Sequence, residues 1–394
     1  MSWEKVKLGD CCISIADGDH QPPPKAESGV PFVTIANIVS NKFDFSDTMY
    51  VPQEYYNKLD SKRKPQKDDI LYSVVGSFGI PVLMKDNREF VFQRHIAILR
   101  PNTEMVLPGF LYYTMLSRDF YMMADAAALG AAQRTVSLTS LRNMEIELPS
   151  IPIQKRIVSF LSAYDDLIEN NQKQIKLLEE AAQRLYKEWF VDLRFPGYET
   201  TPVLDGVPEG WTHPSMDNIA DYMNGYAFAP EDWGTKGKPI IKIKEMNEGV
   251  TESTPRNDGS TIPAKYVISA GNILFSWSAT LTAMIWDAEE GLLNQHLFKV
   301  TPNNGICREY VLQSILKTLD EFKNLTTGST MKHIQRGKLK EVFVFLPTET
   351  IMKNFASLAE PIREQILKLH RQNHLLVEAR DRLLPKLMSG EIEV

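Results

Sequence analysis

A duplicated segment limits the fold of this chain more than any other feature of its sequence. The first copy begins at Leu148-Pro149 and covers residues 149–197. The second copy begins at Leu346-Pro347 and runs to the end of the chain. A constant offset of 198 residues aligns them without a gap, so that residue 149 corresponds to 347 and 178 to 376. An ungapped match over this span indicates a duplicated structural unit.

Both copies have the apolar periodicity of helices. Apolar side chains recur every three or four residues from Ile153 to Trp189, and again from Ile351 to Leu387. Start signals inside each copy, Pro361 and the segment 162–166, predict a short helix, a joint and then a long helix of roughly 26 residues, about 40 Å.

The apolar stripe of each long helix is narrow, which is typical of helices that pair with each other. We therefore expect the two to form an antiparallel coiled coil in which the polar Asn171 and Asn373 fix the register. The alternative is two unrelated surface helices, each packed on its own domain, and the repeat argues against it.

A globular region precedes each helical segment, and the two regions match in order. Similar segments are the openings at Trp3 and Trp211, then 29–35 and 237–243, 69–73 and 272–276, 93–101 and 294–302. The strand-like and helical patterns predict an α+β chain with two similar mixed α/β domains and pseudo-two-fold symmetry. The expected division is domain 1–148, helical segment 149–197, a Pro- and Gly-rich linker 198–210, domain 211–346 and helical segment 347–394.

Composition excludes several classes of protein. The 394 residues are 43% hydrophobic, and no apolar run approaches the ~20 residues that a membrane crossing needs. The start of the chain lacks a secretion signal and its three cysteines lack a disulfide or metal spacing, so a cytoplasmic protein is expected. A net charge of −6 argues against a broad basic surface for nucleic acid. Binding to DNA would have to use local basic patches or a more basic partner.

Catalytic motifs are absent from the sequence. It contains no phosphate-binding Gly-x-x-x-x-Gly-Lys-Ser/Thr loop, no Gly-x-Ser-x-Gly elbow and no His-Glu-x-x-His zinc pair. The Asn/Asp-Pro-Pro-aromatic tetrapeptide of amino-methylating enzymes is missing as well. The sequence therefore predicts no catalytic residue, no metal site and no cofactor.

A polar, cationic loop lies at the same place in both copies. Its candidate contacts are Gln133, Arg134, Thr135 and Ser137 in the first copy and Lys332, His333, Gln335, Arg336 and Lys338 in the second. Such side chains donate hydrogen bonds to phosphates and base edges. An ordinary solvated loop is the alternative interpretation.

A second pair of candidates precedes a predicted strand in each copy. These are Gln93, Arg94 and His95 in the first copy and Gln295 and His296 in the second. Guanidinium and amide groups can bind guanine and adenine through two hydrogen bonds. Alternatively, the two histidines are hydrogen-bonded structural residues.

Taken together, these motifs resemble the specificity subunit of type I restriction-modification systems. The resemblance rests on the doubled helix, with Gln154-Lys155-Arg156-Ile157 near its start and the ending 184–190, on the terminal 383–392, on the paired Trp-led domains and on the glycine-led loops. It covers essentially the whole chain. The second copy departs from the first, because Met352-Lys353-Asn354-Phe355 stands where 154–157 would be expected.

The resemblance implies a non-catalytic subunit that recognises double-stranded DNA. Each globular domain would be a target-recognition domain for one half of an asymmetric bipartite target. The coiled coil would set the spacer, because its length of about 40 Å is close to one turn of B-DNA, about 34 Å. It also implies docking of two modification subunits, which bind S-adenosylmethionine, and of restriction subunits that cleave with ATP.

Two other functions are compatible with the residues alone. A stand-alone two-domain DNA-modifying enzyme, a nuclease or methyltransferase, would show cleavage or methyl transfer by the purified chain. A coiled-coil scaffold that binds only protein would not shift DNA in a gel with its partner subunits present.

Overall fold

The structure is a computed structural model that describes residues 3–130, 133–278, 280–325 and 336–394. Its contacts group into two compact units. Unit 1 contains residues up to Ile168 together with Leu376–Val394, and unit 2 contains Glu169–Leu375. Both units include a part of each long helix, so the unit boundaries lie inside the helices. The division predicted from the sequence, with boundaries before each helix, stays a prediction.

The described secondary structure alternates short strands with helices. The helices are α1 Gln53–Lys58, α2 Pro108–Leu116, α3 Arg118–Ala127, α4 Leu138–Asn143, α5 Ile151–Tyr186, α6 Ile243–Glu248, α7 Arg308–Lys317, α8 Leu319–Asn324 and α9 Glu349–Met388, with a π-helical turn at Lys187–Val191. The strands are β1 Glu4–Lys7, β2 Cys12–Asp17, β3 Val30–Val33, β4 Ile38–Val39, β5 Lys42–Phe43, β6 Met49–Val51, β7 Ile70–Ser73, β8 Pro81–Leu83, β9 Val91–Phe92, β10 Ile96–Pro101, β11 Glu145–Leu148, β12 Val203–Leu204, β13 Val207–Pro208, β14 Ala220–Asn224, β15 Lys238–Ile241, β16 Arg256–Asn257, β17 Val267–Ile268, β18 Ile273–Ser276, β19 Thr282–Ile285, β20 Gly291–Leu293 and β21 Leu297–Pro302.

Unit 1 is built on an antiparallel sheet of order β2-β10-β7-β8. Successive residues of its two inner strands face different cores, as alternation along a strand requires. Tyr72 and Leu99 pack in the larger cluster with α2, whereas Leu71 and Ile98 pack on the other face with Phe92. Burial on both faces explains why β7 and β10 are nearly continuous apolar runs.

Unit 2 repeats this design. Its sheet has the order β14-β21-β18-β19, and its inner strands again divide their side chains between two cores. Phe275 and Phe298 lie in one cluster, and Leu274 and Leu297 lie in the other. A smaller mixed sheet accompanies each, with a parallel pair β3–β9 in unit 1 and β15–β20 in unit 2. The predicted pair of similar mixed α/β domains is confirmed.

The long helices are continuous, and the predicted joint in each is wrong. Helix α5 has 36 residues and α9 has 40, and Pro361 lies inside α9. A proline in a helix interior removes one hydrogen bond and costs about 3 kcal/mol. Packing on both sides of it outweighs this cost, because Phe355, Ala359 and Ile366 are all buried. Local start signals were therefore overridden by tertiary contacts.

Within each unit the two long helices contact each other and run antiparallel. In unit 2, Asn171 Nδ2 donates to Asn373 Oδ1 at 2.9 Å, and further along α5 Ile175 packs with Ile366 and Leu369 earlier on α9. In unit 1, Arg380 donates to Asp165 at 2.7 Å. The predicted antiparallel pairing is confirmed, with the two asparagines hydrogen-bonded to each other.

Burial along the two helices follows the 198-residue offset. The buried residues Gln154, Ile157, Leu161 and Ile168 correspond to Met352, Phe355, Ala359 and Ile366, which are buried too. One of these pairs differs in chemistry, as expected from the sequence. Gln154 bonds the backbone at Met105, Leu107 and Pro149, whereas Met352 packs in the apolar core of unit 2. Both helices therefore dock on their own units by the same face but with different contacts.

No helix within the described ranges is apolar over enough of its length to cross a membrane.

A buried ion pair joins α7 to α9 in unit 2. Arg363 Nε donates to Glu309 Oε2 at 2.7 Å and its Nη2 donates to Oε1 at 3.0 Å. Glu309 is 0% exposed and also accepts from Gln313 at 2.8 Å. Removing one partner of a buried pair leaves an uncompensated charge, which is far more costly than removing both.

We predict that Arg363→Met lowers the free energy of unfolding of unit 2 by about 3–5 kcal/mol. Five of the six tryptophans lie in unit 2, so urea denaturation followed by tryptophan fluorescence reports on it. Glu309→Met combined with Arg363→Met should recover most of the loss. Arg184→Met, which breaks the exposed pair with Glu180 on α5 in unit 2, is the control and should cost less than about 1 kcal/mol. Equal losses of unfolding free energy in Arg363→Met and in the control variant would contradict the role assigned to the buried pair.

Candidate nucleic-acid interface

The turn that precedes the central strand of unit 1 holds three of the predicted contacts. Gln93, Arg94 and His95 connect β9 to β10, and the N–H of Ile96 donates to the Gln93 carbonyl at 3.0 Å. The N–H of Arg94 donates to the Asp19 carbonyl at 3.0 Å. Because β10 is buried on both faces, the turn is held rigidly while the side chain of Arg94 stays exposed.

The predicted loop of unit 1 lies beside this turn. The His95 carbonyl accepts from the N–H of Val74 at 2.8 Å, and the Val74 carbonyl accepts from the N–H of Val136 at 2.8 Å. Thr135 in turn exchanges two backbone hydrogen bonds with Leu129, at 2.8 and 2.9 Å. These four hydrogen-bonded segments, 93–95, 74–76, 133–136 and Leu129, are called the unit 1 ledge below. Two candidate segments that are about 40 residues apart in sequence therefore form one surface.

Arg134 is held in place by an acidic neighbour. Its guanidinium pairs with the Asp125 carboxylate and with the Asp125 carbonyl on α3, and it lies 5.4 Å from the centroid of the Phe78 ring. Phe78 is stacked on Tyr121 at 5.9 Å. The charge of Arg134 is thus partly neutralised within the unit, and its direction is set by α3.

Three other candidates of unit 1 differ in how many side-chain hydrogen bonds they already make within the protein. Ser137 caps α4, because its Oγ accepts from the N–H of Ser140 at 2.9 Å. Thr135 Oγ1 donates to the Gln133 carbonyl at 3.3 Å, so its hydroxyl proton is already used within the unit. The exposed Gln133 carboxamide has no hydrogen-bond partner within the described ranges. Gln133 is therefore the candidate whose side-chain donors and acceptors are most available to a ligand.

His95 is set up to act as a neutral group. Burial, and then the charge of Arg94, lower the pKa of His95 below its usual 6.5. Its imidazole is therefore uncharged at pH 7, and it can both donate and accept a hydrogen bond.

An acidic turn beside the unit 1 ledge is neutralised by its own neighbours. Asp17 accepts from His20 at 2.8 Å and from Arg63 at 3.4 Å, and the buried Asp19 accepts from the Tyr55 hydroxyl at 2.8 Å. Burial, with the bond to Asp19, raises the pKa of Tyr55 to about 12. These carboxylates are consequently tied into the fold next to the ledge.

Unit 2 presents the same turn at the same place. Gln295 and His296 directly precede β21, and the N–H of Gln295 donates to the Tyr226 carbonyl at 2.9 Å. The His296 ring lies 5.8 Å from that of Trp277, and its Nδ1 lies 3.5 Å from Ser278 Oγ. Both side chains at 295 and 296 are exposed. Both predicted turns therefore lead into the central strand of their sheet.

The predicted loop of unit 2 is only partly described. Lys332, His333 and Gln335 lie outside the described residues. Arg336 and Lys338 belong to the 3-10 helix Arg336–Glu341, which corresponds to α4 at the 198-residue offset. Arg336 pairs with Asp221 at 3.3 Å and Lys338 with Glu341 at 2.7 Å. Asp221 is opposite Thr301 in the sheet, so Arg336 lies at the far end of β21 from Gln295 and His296.

Several residues of the interface were missed by the sequence analysis. The middle of the unit 1 ledge is the segment Val74–Gly76, and Asp125 and the 72% exposed Leu129 lie next to the predicted loop. The glycines at 76 and 79, both with positive φ, were a usable signal for a special loop after β7. Gly130, at a φ of 106°, is a glycine of the same kind next to Leu129.

Within the described ranges, no group of three or more His, Cys, Asp or Glu side chains is arranged to hold a metal ion.

Comparison with known proteins agrees with the internal duplication. The family model described as the type I restriction modification DNA specificity domain matches this chain twice, over residues 1–180 and 208–374. Each match contains one globular region and most of the helix that follows it.

Relatives and a solved structure match over nearly the whole chain. The HindI specificity subunit of a type I restriction enzyme from Haemophilus influenzae is 22% identical over 99% of both chains. The MjaIX specificity subunit from Methanocaldococcus jannaschii is 27% identical over 73% of this chain and 70% of its own length. The crystal structure of a type I restriction-modification S subunit from M. genitalium has a TM-score of 0.56 and 14% identity, over 98% of this chain and 96% of that one. The predicted resemblance is confirmed.

We predict that Asp125→Asn strengthens binding to DNA of any sequence. The substitution releases Arg134 for a phosphate contact, so the dependence of log K on log salt should steepen by about 0.9. The measurement is a salt titration of non-specific duplex binding by fluorescence anisotropy. Asp119→Asn makes the same charge change at an exposed residue of the same helix, α3, and serves as the control. Identical slopes for both variants would exclude a specific restraint of Arg134 by Asp125.

Proposed function

The chain belongs to the type I restriction modification DNA specificity domain family, and we propose that it is the DNA-recognition subunit of such a system. It contributes no catalysis of its own and directs partner subunits to a sequence. In this proposal each globular domain reads one half of a bipartite DNA target. The cell's DNA is the substrate, so the subunit acts in the cytoplasm.

The repeated turn before the central strand is the observation that carries this proposal. In unit 1 it presents Arg94 and His95, and in unit 2 it presents Gln295 and His296. A guanidinium favours guanine and a carboxamide favours adenine. Because the scaffold is the same and the side chains differ, the two half-sites differ in sequence. The target is therefore asymmetric.

The unit 1 ledge supplies further contacts to its half-site. Gln133 is available for base edges and Arg94 for phosphates or guanine, whereas Arg134 reaches the DNA in the direction set by its pair with Asp125. In unit 2 the corresponding contacts are Gln295 and His296, and a second set of contacts comes from Lys332, His333, Gln335, Arg336 and Lys338. We propose that these side chains distinguish thymine, adenine and guanine from one another.

The long helices set the spacer between the half-sites. Helices of 36 and 40 residues correspond to rods of about 54 and 60 Å. The lengths of these helices are set by their own buried positions, which repeat at the 198-residue offset. They do not depend on the side chains that contact DNA. Spacer length and half-site sequence are therefore separate properties of the chain.

In this proposal the partner subunits dock on the exposed side of the long helices, at two equivalent sites. Phe160 is 54% exposed on α5 in unit 1, and Leu358, at the 198-residue offset, is 50% exposed on α9 in unit 2. Large apolar side chains exposed at equivalent positions of a repeat fit two copies of one partner. We assign these positions to the two modification subunits, and restriction subunits join the assembled complex.

Exchanging residues 1–148 for the matching domain of a relative should change one half-site and leave the other half-site and the spacer unchanged. The physical reason is that the exchanged residues contain the unit 1 ledge, whereas α5 and α9 remain. The readout is methylation-sensitive sequencing of DNA modified by the reconstituted complex. A changed spacer would remove the helices from their proposed role. A change in both half-sites would overturn the assignment of one domain to each.

Phe160→Glu and Leu358→Glu should each remove one modification subunit, and the double variant should remove both. Burying one such side chain contributes about 1.5–3 kcal/mol, so each substitution should weaken its own site roughly 10- to 100-fold. Native mass spectrometry of the reconstituted complex gives the stoichiometry directly. Leu204→Glu, at an exposed leucine on β12, is the control. Full occupancy in the double variant would place docking elsewhere.

A further inference from the structure

An exposed apolar row crosses the unit 1 ledge. Leu129 and Thr135 are directly opposite each other with two backbone hydrogen bonds between them, and Val75 is opposite Thr135 on its other side. Residues directly opposite each other in antiparallel segments point to the same face. Val75 is partly buried against the core of unit 1, whereas Leu129 is 72% exposed. The row therefore runs from the core out to solvent and ends in an isobutyl group.

The backbone next to Leu129 adopts a conformation that requires a glycine. The next residue, Gly130, has a φ of 106°, which side chains other than glycine rarely adopt. A Cβ at this position would lie 2.6 Å from the carbonyl oxygen of Gln133. The tight approach of Gly130 to Gln133 keeps Leu129 in register with Thr135.

A polar group that can read a base lies next to this row. Gln133 is two residues before Thr135, at a bend of the chain, and its carboxamide nitrogen lies 3.8 Å from where a Cβ of Gly76 would be, next to Val75. The Thr135 hydroxyl is occupied by the Gln133 carbonyl, and only its methyl group continues the row. The ledge thus places an available carboxamide close to a row of three apolar groups.

We propose that Leu129 and the Thr135 methyl group contact the 5-methyl group of a thymine in the half-site that unit 1 reads. This inference rests on the proposed function. In the major groove an A·T pair presents the adenine N6 and N7 positions and, on its partner base, the thymine methyl group. A carboxamide next to an apolar row matches these two features, and a G·C pair offers no methyl group for the row. The half-site therefore contains an A·T pair at this position.

Replacing thymine by deoxyuridine tests the proposal, because it removes only the 5-methyl group. The half-site is first identified from the motif that the full complex methylates. Each thymine on either strand of it is then replaced in turn, and binding of the complex to each duplex is measured. At one position the replacement should weaken binding by the wild-type complex about three- to fivefold, the effect of one buried methyl-sized group.

The same replacement should have a clearly smaller effect on a complex that contains Leu129→Ala, in which only the Thr135 methyl group remains to contact the thymine. Thr135→Ser keeps the hydroxyl that bonds to Gln133, and it should reduce the methyl effect in part. Leu204→Ala removes an equally exposed leucine from β12 and should keep the full effect.

Four results would overturn the inference. They are a unit 1 half-site without any A·T pair, no loss of binding at any deoxyuridine, a full deoxyuridine effect in Leu129→Ala, and failure of Leu129→Ala to assemble with its partner subunits. The second result would indicate an apolar wedge between bases, the third would assign the thymine methyl contact to another residue, and the fourth would indicate a protein contact. A complex that binds no specific sequence would instead contradict the proposed function itself, so the two failures are distinguishable.

Discussion

Burial of one strand on both faces is the constraint on which the interface depends. In unit 1 the side chains of β10 alternate between a core that contains Leu99 and a core that contains Ile98. In unit 2 those of β21 alternate between Phe298 and Leu297. A strand held from both sides cannot slip by one residue, since every side chain would then face the wrong core. The turns at 93–95 and 294–296 precede these strands directly, so their polar side chains are presented from a rigid base.

The long helices follow a second constraint, which is independent of the first. Their buried positions match at the 198-residue offset, although the residues differ: Gln154 bonds three backbone groups where Met352 packs among apolar side chains. The duplicated element is therefore the geometry of docking and not its chemistry. The polar contacts differ in the same way, with the buried pair Glu309–Arg363 in unit 2 and the partly buried group Tyr113–Asp165–Arg380 in unit 1. Each unit has its own means of holding both helices.

Periodicity and repetition made the fold predictable, whereas contacts distant in sequence did not. The two helices, their antiparallel pairing and the Asn171–Asn373 contact followed from apolar spacing, because a narrow stripe must be covered by a partner. The joints at Ser162 and Pro361 were wrong, since a local start signal cannot show that Phe355 and Ile366 are buried on either side. The candidate loops and turns were found from composition. Their joining through Val74–Gly76 could not be predicted, because it depends on backbone pairing between residues roughly 20 and 60 positions apart, which no local pattern indicates.

The charges at the interface explain how an acidic chain can read DNA. Arg134 is paired with Asp125, Arg63 with Asp17, and Arg336 with Asp221, so these cations contribute little net charge to the surface. The burial of His95 lowers its pKa and keeps it neutral at pH 7. What the chain offers to a duplex is mainly a set of oriented amide, imidazole and apolar groups. Such groups discriminate between bases but attract phosphates weakly. With a net charge of −6, we therefore expect most of the affinity for phosphates to come from the proposed partner subunits, so that the protein that selects the sequence is not the protein that holds the DNA.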